Sequence, residues 1–386
     1  MLPVWLQFSL GLVALVGGAE LLVRGASGLA ARARISPLVV GLTVVALGTS
    51  TPELATSLRA ALDGRSDLAI GNVVGSNIMI VLLVLGTAAL ILPLSVQQRL
   101  VRIDAPLMVA ASLAFLWFAW DGTIAASEAA VFLAALAIYL MWMARQAADE
   151  NDEVRTEYDR EHGAPGSRVA TGLVLVVGGL GLLVLGAEWL VLSASAIALA
   201  LGVSELVVGL VIVAGGTSLP ELATSIVAAA RGERDIAVGN IIGSNLFNIL
   251  GILGVVGLVA PGGLSIAPAV LAFDLPVMVA TSLVCLPILL TGFRINRSEG
   301  ALLLLYYAAY AGFLLLDAQD HDALPMFSWI VAAFFLPLSA LGLLLPAVWP
   351  RLRIAERIER AVTRTRPTSP PKRSLAPPGW SGAFRR

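Results

Sequence analysis

GLVIVAGGTSLPELATSIVAAARGERDIAVGNIIGSNLFNILGILG, running from Gly209 to Gly254, decides how this chain is read, because an earlier copy precedes it. Gly41 to Gly86 reads GLTVVALGTSTPELATSLRAALDGRSDLAIGNVVGSNIMIVLLVLG and aligns without a gap, Glu53 answering to Glu221 at an offset of 221 − 53 = 168. Each copy sets Gly-Thr-Ser-x-Pro-Glu in the middle of one apolar run and Gly-Ser-Asn in the next. A bilayer makes charge and broken backbone costly at such places. Their appearance there, twice, is a signal of function.

Working outward, the 386 residues are 58% hydrophobic and only 13% charged, which is too apolar for a water-soluble globule and implies a polytopic membrane protein. The apolar runs predict helices near residues 4 to 30, 37 to 62, 68 to 94, 104 to 120 and 124 to 144. A second set follows near 169 to 200, 205 to 230, 236 to 260, 270 to 292 and 299 to 317. Gly18-Ala19-Glu20 matches Gly186-Ala187-Glu188, and Asp104-Ala105-Pro106 lies close to the place matched by Asp274-Leu275-Pro276, so the repeat is five helices long. An eleventh run, Met326 to Val348, has no counterpart. The expected organisation is an all-α fold with a first repeat over 1–145, a linker over 146–168, a second repeat over 169–318, an extra helix over 319–350 and a tail over 351–386. An odd number of spans per repeat turns the second repeat upside down relative to the first.

Arginine placement orients the chain. With the N-terminus outside, the inner loops hold Arg32, Arg34, Arg99, Arg102, the stretch Arg145 to Arg168, Arg231, Arg234, Arg294, Arg297 and the basic tail. The outer loops near Asp121, Gly202, Gly262 and Asp320 hold no Lys or Arg; the exception is Arg65, whose loop matches the inner loop at Arg231 to Asp235 and is forced outside by the inversion. This expects a multi-pass protein of the plasma (inner) membrane with a cytoplasmic C-terminus. The linker is solvated, and the start of the tail can lie on anionic lipid.

Pro52 and Pro220 each lack the N–H that would bond the carbonyl four residues back, at Gly48 and Gly216, and so bare backbone oxygens one turn before Glu53 and Glu221. Thr49, Ser50, Thr217 and Ser218 add hydroxyls, and Ser76 and Ser244 on the next helices can face the same cavity. Carboxylate, hydroxyl and bared carbonyl are the ligands a hard cation such as Ca²⁺ or Na⁺ requires. Two ionised glutamates at mid-membrane reorient only when neutralised, by one divalent ion, two or more monovalent ions, or protons. Asn72, Asn77, Asn240 and Asn245 are read as structural, bonding the broken helices of the opposite copy. Glu20 and Glu188 are read as structural hydrogen-bonding groups, Asp104 and Asp274 as helix-start residues, Cys285 as apolar packing, and His162 and His321 as solvated.

The segments GTSTPE with GNVVGSN, and GGTSLPE with GNIIGSNLFN, resemble the two alpha repeats of the sodium/calcium exchanger family. The resemblance covers roughly residues 1 to 318 and implies ten helices, four of them lining the ion sites, and electrogenic exchange of Na⁺ for Ca²⁺. Carried over position by position, it implies ligands at the Ala46 carbonyl, Thr49, Ser50, Glu53 and Ser76, and at the Ala214 carbonyl, Thr217, Ser218, Glu221, Ser244 and Asn248. Two positions depart from the pattern: Ile80 stands where an Asn or Asp is usual, and Asn248 where prokaryotic relatives often have Asp. These leave a proton- or K⁺-coupled cation exchanger open as the alternative.

An enzyme is disfavoured. Both histidines lie outside the spans, no lysine occurs before Lys372, and a nucleophilic serine at Ser50 or Ser218 would want an adjacent base. Nothing calls for a cofactor, a nucleic acid or an obligatory protein partner; the expected partners are the transported Ca²⁺ and monovalent cations and the membrane lipid.

Overall fold

The computed structural model describes residues 3–33, 35–149, 169–203, 208, 212, 214–290, 292–319 and 321–337. The first half contains α1 (Val4–Ala33), α2 (Pro37–Thr49), α3 (Thr51–Leu62), α4 (Ser66–Ile91), α5 (Leu100–Asp121) and α6 (Ala126–Asp149). The second contains α7 (Val169–Ala200), α8 (Leu219–Ala230), α9 (Arg234–Val259), α10 (Val270–Leu290) and α11 (Arg297–Asp317), followed by α12 (Leu324–Ile330). Among the described residues eight helices are long and apolar enough to cross a membrane, nine with the bent pair α2 and α3 counted as one span. The chain is an all-helical, multi-pass membrane protein. Of the linker expected over 146–168, residues 146–149 instead continue the helix α6, and the remainder, with the tail, the end of the eleventh run beyond 337, His162 and most of 204–213, lies outside the described residues.

Proline sets the breaks. Between α2 and α3 the axis turns by 44°, with Ser50 at φ −84°, ψ 8° and Pro52 in the first turn of α3. Ser218 repeats the conformation at φ −89°, ψ 9°, with Pro220 opening α8. Proline fits a first helical turn, where its missing N–H costs nothing, and forbids continuation of the turn before it. The same helices end alike: Gly64 and Gly232 adopt φ +73° and +81°, while Arg65 and Glu233 donate backward to the carbonyls of Ala60 and Ala228. A left-handed residue that closes a helix in this way is best served by glycine.

The halves meet through α1 and α7. A Cβ added at Gly18 would lie 2.7 Å from the Gly179 carbonyl oxygen, and one at Gly186 would lie 2.8 Å from that of Gly11. Gly25 meets Gly172 in the same way. Each pair sums to one number (11 + 186 = 18 + 179 = 25 + 172 = 197), so the helices run antiparallel with their backbones in contact. Small residues permit this approach, and it substitutes for the hydrophobic drive that lipid removes.

Two short ribbons reveal the inversion. Leu94–Ser95 (β1), which follows α4, pairs with Arg294–Ile295 (β4), which follows α10. Thr123–Ile124 (β2), which follows α5, pairs with Leu264–Ser265 (β3), which follows α9. A loop after the third span of one half thus always meets a loop after the fourth span of the other. Loops with span numbers of opposite parity share a membrane face only if one half is upside down. Near the centre, the hydroxyls of the equivalent residues Ser112 and Ser282 lie 3.0 Å apart, on the pseudo-twofold axis. The last described segment, α12 with Val331–Phe335, packs beside α11 and α10 outside this symmetric pair.

Candidate functional site

The breaks carry two glutamates into the protein's centre. Glu53 and Glu221 are both fully buried, as are Ser50 and Ser218. The Ser50 hydroxyl donates to Oε1 of Glu221 at 3.0 Å, and the Ser218 hydroxyl donates to Oε1 of Glu53 at 3.0 Å. Each serine therefore holds the acid of the other half. Ser218 also lies 3.3 Å from the Ser76 hydroxyl. Thr49 Oγ1 donates to Asn240 Oδ1 at 3.0 Å, and Thr217 Oγ1 to Asn72 Oδ1 at 3.4 Å.

The asparagines complete the frame. Asn72 Nδ2 donates to the Glu53 carbonyl and to Ser57 Oγ, at 3.2 and 2.9 Å. Asn240 Nδ2 does the same with the Glu221 carbonyl and Ser225 Oγ, at 3.5 and 3.1 Å. These two side chains tie a broken helix of their own half to the threonine of the other. Asn77 and Asn245 correct the expectation made for all four: they donate to Val73 and Ile241 one turn back on their own helices, and reach no helix of the opposite half.

Several buried oxygens around this frame have no protein partner: Oε2 of Glu53, Oε2 of Glu221, Oγ of Ser244 and Oδ1 of Asn248. Such atoms are costly unless something binds them. Every one belongs to a residue singled out in the sequence. The Ala46 carbonyl is approached by Thr49 Oγ1 at 3.4 Å and accepts from the Ser50 N–H at 3.0 Å, which leaves it one lone pair. Ala214 opens the short helix Ala214–Gly216 ahead of Thr217. Ile80, at the position matching Asn248, is fully buried, and both begin or lie in π-helical turns, Ile80–Leu85 and Phe247–Ile252. Such turns insert a residue and re-aim the side chains that follow.

Gly48, Gly216, Gly239 and Gly243 serve helix packing, whereas Gly71 and Gly75 do not among the described residues. A Cβ at Gly48 or Gly216 would strike Leu180 or Val191 of α7, and Gly239 and Gly243 lie against the α2 backbone at Leu38 and Leu42. Gly71 and Gly75 line a cavity of about 290 Å³ with Gly215, Asp274, Tyr307 and Tyr310.

Other expectations need revision. Asp104 and Asp274 do not cap helices; they accept from the hydroxyls of Tyr139 and Tyr310, each at 2.9 Å, and so fasten α5 to α6 and α10 to α11. Glu20 is the structural group expected, held by Arg24 on its own helix and by Arg231 in the turn after α8, but its twin Glu188 is exposed and departs from that reading. The seven-residue spacing of Gly11, Gly18, Gly25 and of Gly172, Gly179, Gly186 is the sequence signal of the contact between α1 and α7. Cys285 is buried in apolar packing and His321 sits in a loop, as expected.

A buried pair of carboxylates surrounded by neutral oxygens, with no Lys or Arg in hydrogen-bonding contact with either acid among the described residues, has the chemistry to neutralise hard cations or protons. Comparison with known proteins agrees with that character. Residues 3–145 and 171–316 match the family model described as sodium/calcium exchanger protein. The chain is 41% identical to CaxA of Alkalimonas amylolytica over 78% of its own length and 95% of that protein's. It is 36% identical to the sodium/calcium exchanger MaX1 of Methanosarcina acetivorans, with the same coverages. A solved structure of the sodium-calcium exchanger NCX_Mj superposes with a TM-score of 0.69 at 34% identity, over 81% of this chain and 99% of that one.

Proposed function

The chain belongs to the sodium/calcium exchanger family, and from that premise we propose that it exchanges Ca²⁺ for Na⁺ across the membrane by alternating access. The ions bind between the halves, to the carboxylates of Glu53 and Glu221, the hydroxyls of Thr49, Ser50, Thr217, Ser218, Ser76 and Ser244, the amide of Asn248 and the carbonyls of Ala46 and Ala214. No cofactor takes part, since the ions themselves are the cargo. The N-terminus is outside and the C-terminus cytoplasmic, in the plasma (inner) membrane, so that Na⁺ entry drives Ca²⁺ out.

One observation carries the reading: two glutamates, one from each inverted half, are wholly buried, each is held by the serine of the other, and each keeps one oxygen without a protein partner. Empty, the pair is a buried charge of −2, which resists moving between the two access states; filled, it is neutral. Inverted halves supply the two states as exchanged conformations of one architecture. In reconstituted vesicles an imposed Na⁺ gradient drives ⁴⁵Ca uptake, and Glu221→Gln abolishes it. Uptake indifferent to the Na⁺ gradient defeats the proposal.

A second reading is favoured by Ile80, which removes a polar group from one wall: the glutamates then carry protons, or K⁺ joins the cycle, and the coupling ion is not Na⁺. Uptake that follows a pH or K⁺ gradient with Na⁺ absent selects it.

A further inference from the structure

The two halves differ at one pair of equivalent acids. Asp104 and Asp274 answer to each other (274 − 104 = 170), and each accepts from a tyrosine on the following helix. Asp104 is fully buried, and Arg99 stands 4.0 Å from its second oxygen. The place matching Arg99 in the second half is Ala269 (99 + 170 = 269), so no guanidinium stands there for Asp274. Asp274 is half-buried instead, and lines the cavity of about 290 Å³ with Gly71, Gly75, Met79 and Gly215. Gly239 and Gly243, the residues matching Gly71 and Gly75, are packed against the α2 backbone. A cavity is thus open beside one half where its twin is closed.

We propose that this cavity is a vestibule that collects cations from the outer side, and that Asp274 holds an incoming hydrated cation on its way to Glu53 and Glu221. This rests on the exchanger reading and the orientation above, which make Na⁺ the ion that enters from outside. Of the cavity wall, Gly75 precedes Ser76 and Gly215 stands two residues before Thr217, so the space adjoins the ion frame. Leu315, also in the wall, stands two residues before Asp317, which is exposed at the end of α11 and close enough for its charge to act on Asp274. The loops at Gly262 and Asp320, before α10 and after α11, hold no Lys or Arg. Charge of one sign in a cleft with apolar walls focuses the field and raises the local concentration of counter-ions. A lone carboxylate holds an ion firmly enough to gather it and weakly enough to let it go on.

The test uses the full-length protein with Cys285→Ala, in intact cells, carrying Ala311→Cys or Leu314→Cys as a reporter on the cavity wall. A cationic and an anionic methanethiosulfonate, both impermeant, are applied outside at low ionic strength, each rate divided by that with a free thiol in solution. The cationic reagent is expected to be favoured about 10-fold. Asp274→Asn, which still accepts from the Tyr310 hydroxyl, is expected to bring the two rates close to parity, whereas Tyr310→Phe, which keeps the charge, leaves most of the preference. Equal rates in the parent, a preference that survives Asp274→Asn, or one lost equally in Tyr310→Phe overturns the proposal. So does the absence of reaction from outside. Labelling judges the vestibule whether or not the protein exchanges ions. In ⁴⁵Ca efflux from right-side-out vesicles, Asp274→Asn is expected to raise the half-saturating outer Na⁺ about 3-fold, screening by Na⁺ itself reducing the effect. An unchanged requirement removes Asp274 from the ion's path. Absence of Na⁺-driven efflux from the parent overturns the exchanger reading alone.

Discussion

Ser50 hydrogen-bonds Glu221, 171 residues away, and Ser218 returns the bond to Glu53 at the same 3.0 Å. The two halves are thus cross-linked at the groups proposed to carry the ions. Binding and the fit between the halves become one event, since an ion that draws on a carboxylate also draws on the serine across the interface.

Removing either hydroxyl therefore acts alike. A hydrogen bond to an ionised group contributes about 1.5–3 kcal/mol, so Ser50→Ala and Ser218→Ala are each expected to weaken Ca²⁺ binding about 10- to 100-fold. Half-saturating Ca²⁺ in vesicle uptake, or calorimetry in detergent, measures this. Effects that differ greatly between the two variants would argue against the symmetric role.

The glycine contact between α1 and α7 leaves no room for a side chain. Gly18→Val places its Cβ 2.7 Å from the Gly179 carbonyl oxygen and the Leu183 nitrogen, an overpacking that costs about 1–3 kcal/mol. A lower thermal midpoint in detergent is expected, with loss of transport. Gly17→Ala, with no described atom within 4 Å of the added carbon, is expected to leave both unchanged; an equal fall for the two would remove the packing argument.

The tyrosine–aspartate pairs separate by burial. Tyr139→Phe strips the hydroxyl from Oδ1 of the fully buried Asp104, leaving Arg99, 4.0 Å from the other oxygen, as its remaining partner, at a cost of about 1–3 kcal/mol. Tyr310→Phe does the same to Asp274, which is half-buried and faces the cavity beside Gly71 and Gly215. Water can replace the bond there. Denaturation midpoints are expected to fall more for Tyr139→Phe than for Tyr310→Phe.

Inversion can be read by labelling. In a Cys285→Ala background, Thr123→Cys on the β2–β3 ribbon should react with an impermeant maleimide applied outside intact cells. Ser95→Cys on the β1–β4 ribbon should react only after permeabilisation. Labelling of both from one side contradicts the orientation.

The paired segments were legible in the chain itself because they repeat: Glu53 and Glu221, their prolines and their hydroxyls lie at one offset, and an odd number of spans per copy entails an upside-down partner. Composition settled the membrane, and proline chemistry settled where the helices break, since both are local properties of the residues concerned. Contacts between distant residues were not legible. Ser50 lies three positions before Glu53 and could have served its own half; only the relative placement of the two halves made Glu221 its acceptor. The same holds for Asn77, which turned to its own helix, for Asp104, which met a tyrosine 35 positions on, and for Glu20, which found Arg231 while its twin Glu188 faced outward. A repeat specifies equivalent chemistry twice, but which copy answers which is decided by a rigid-body relation that no single segment encodes.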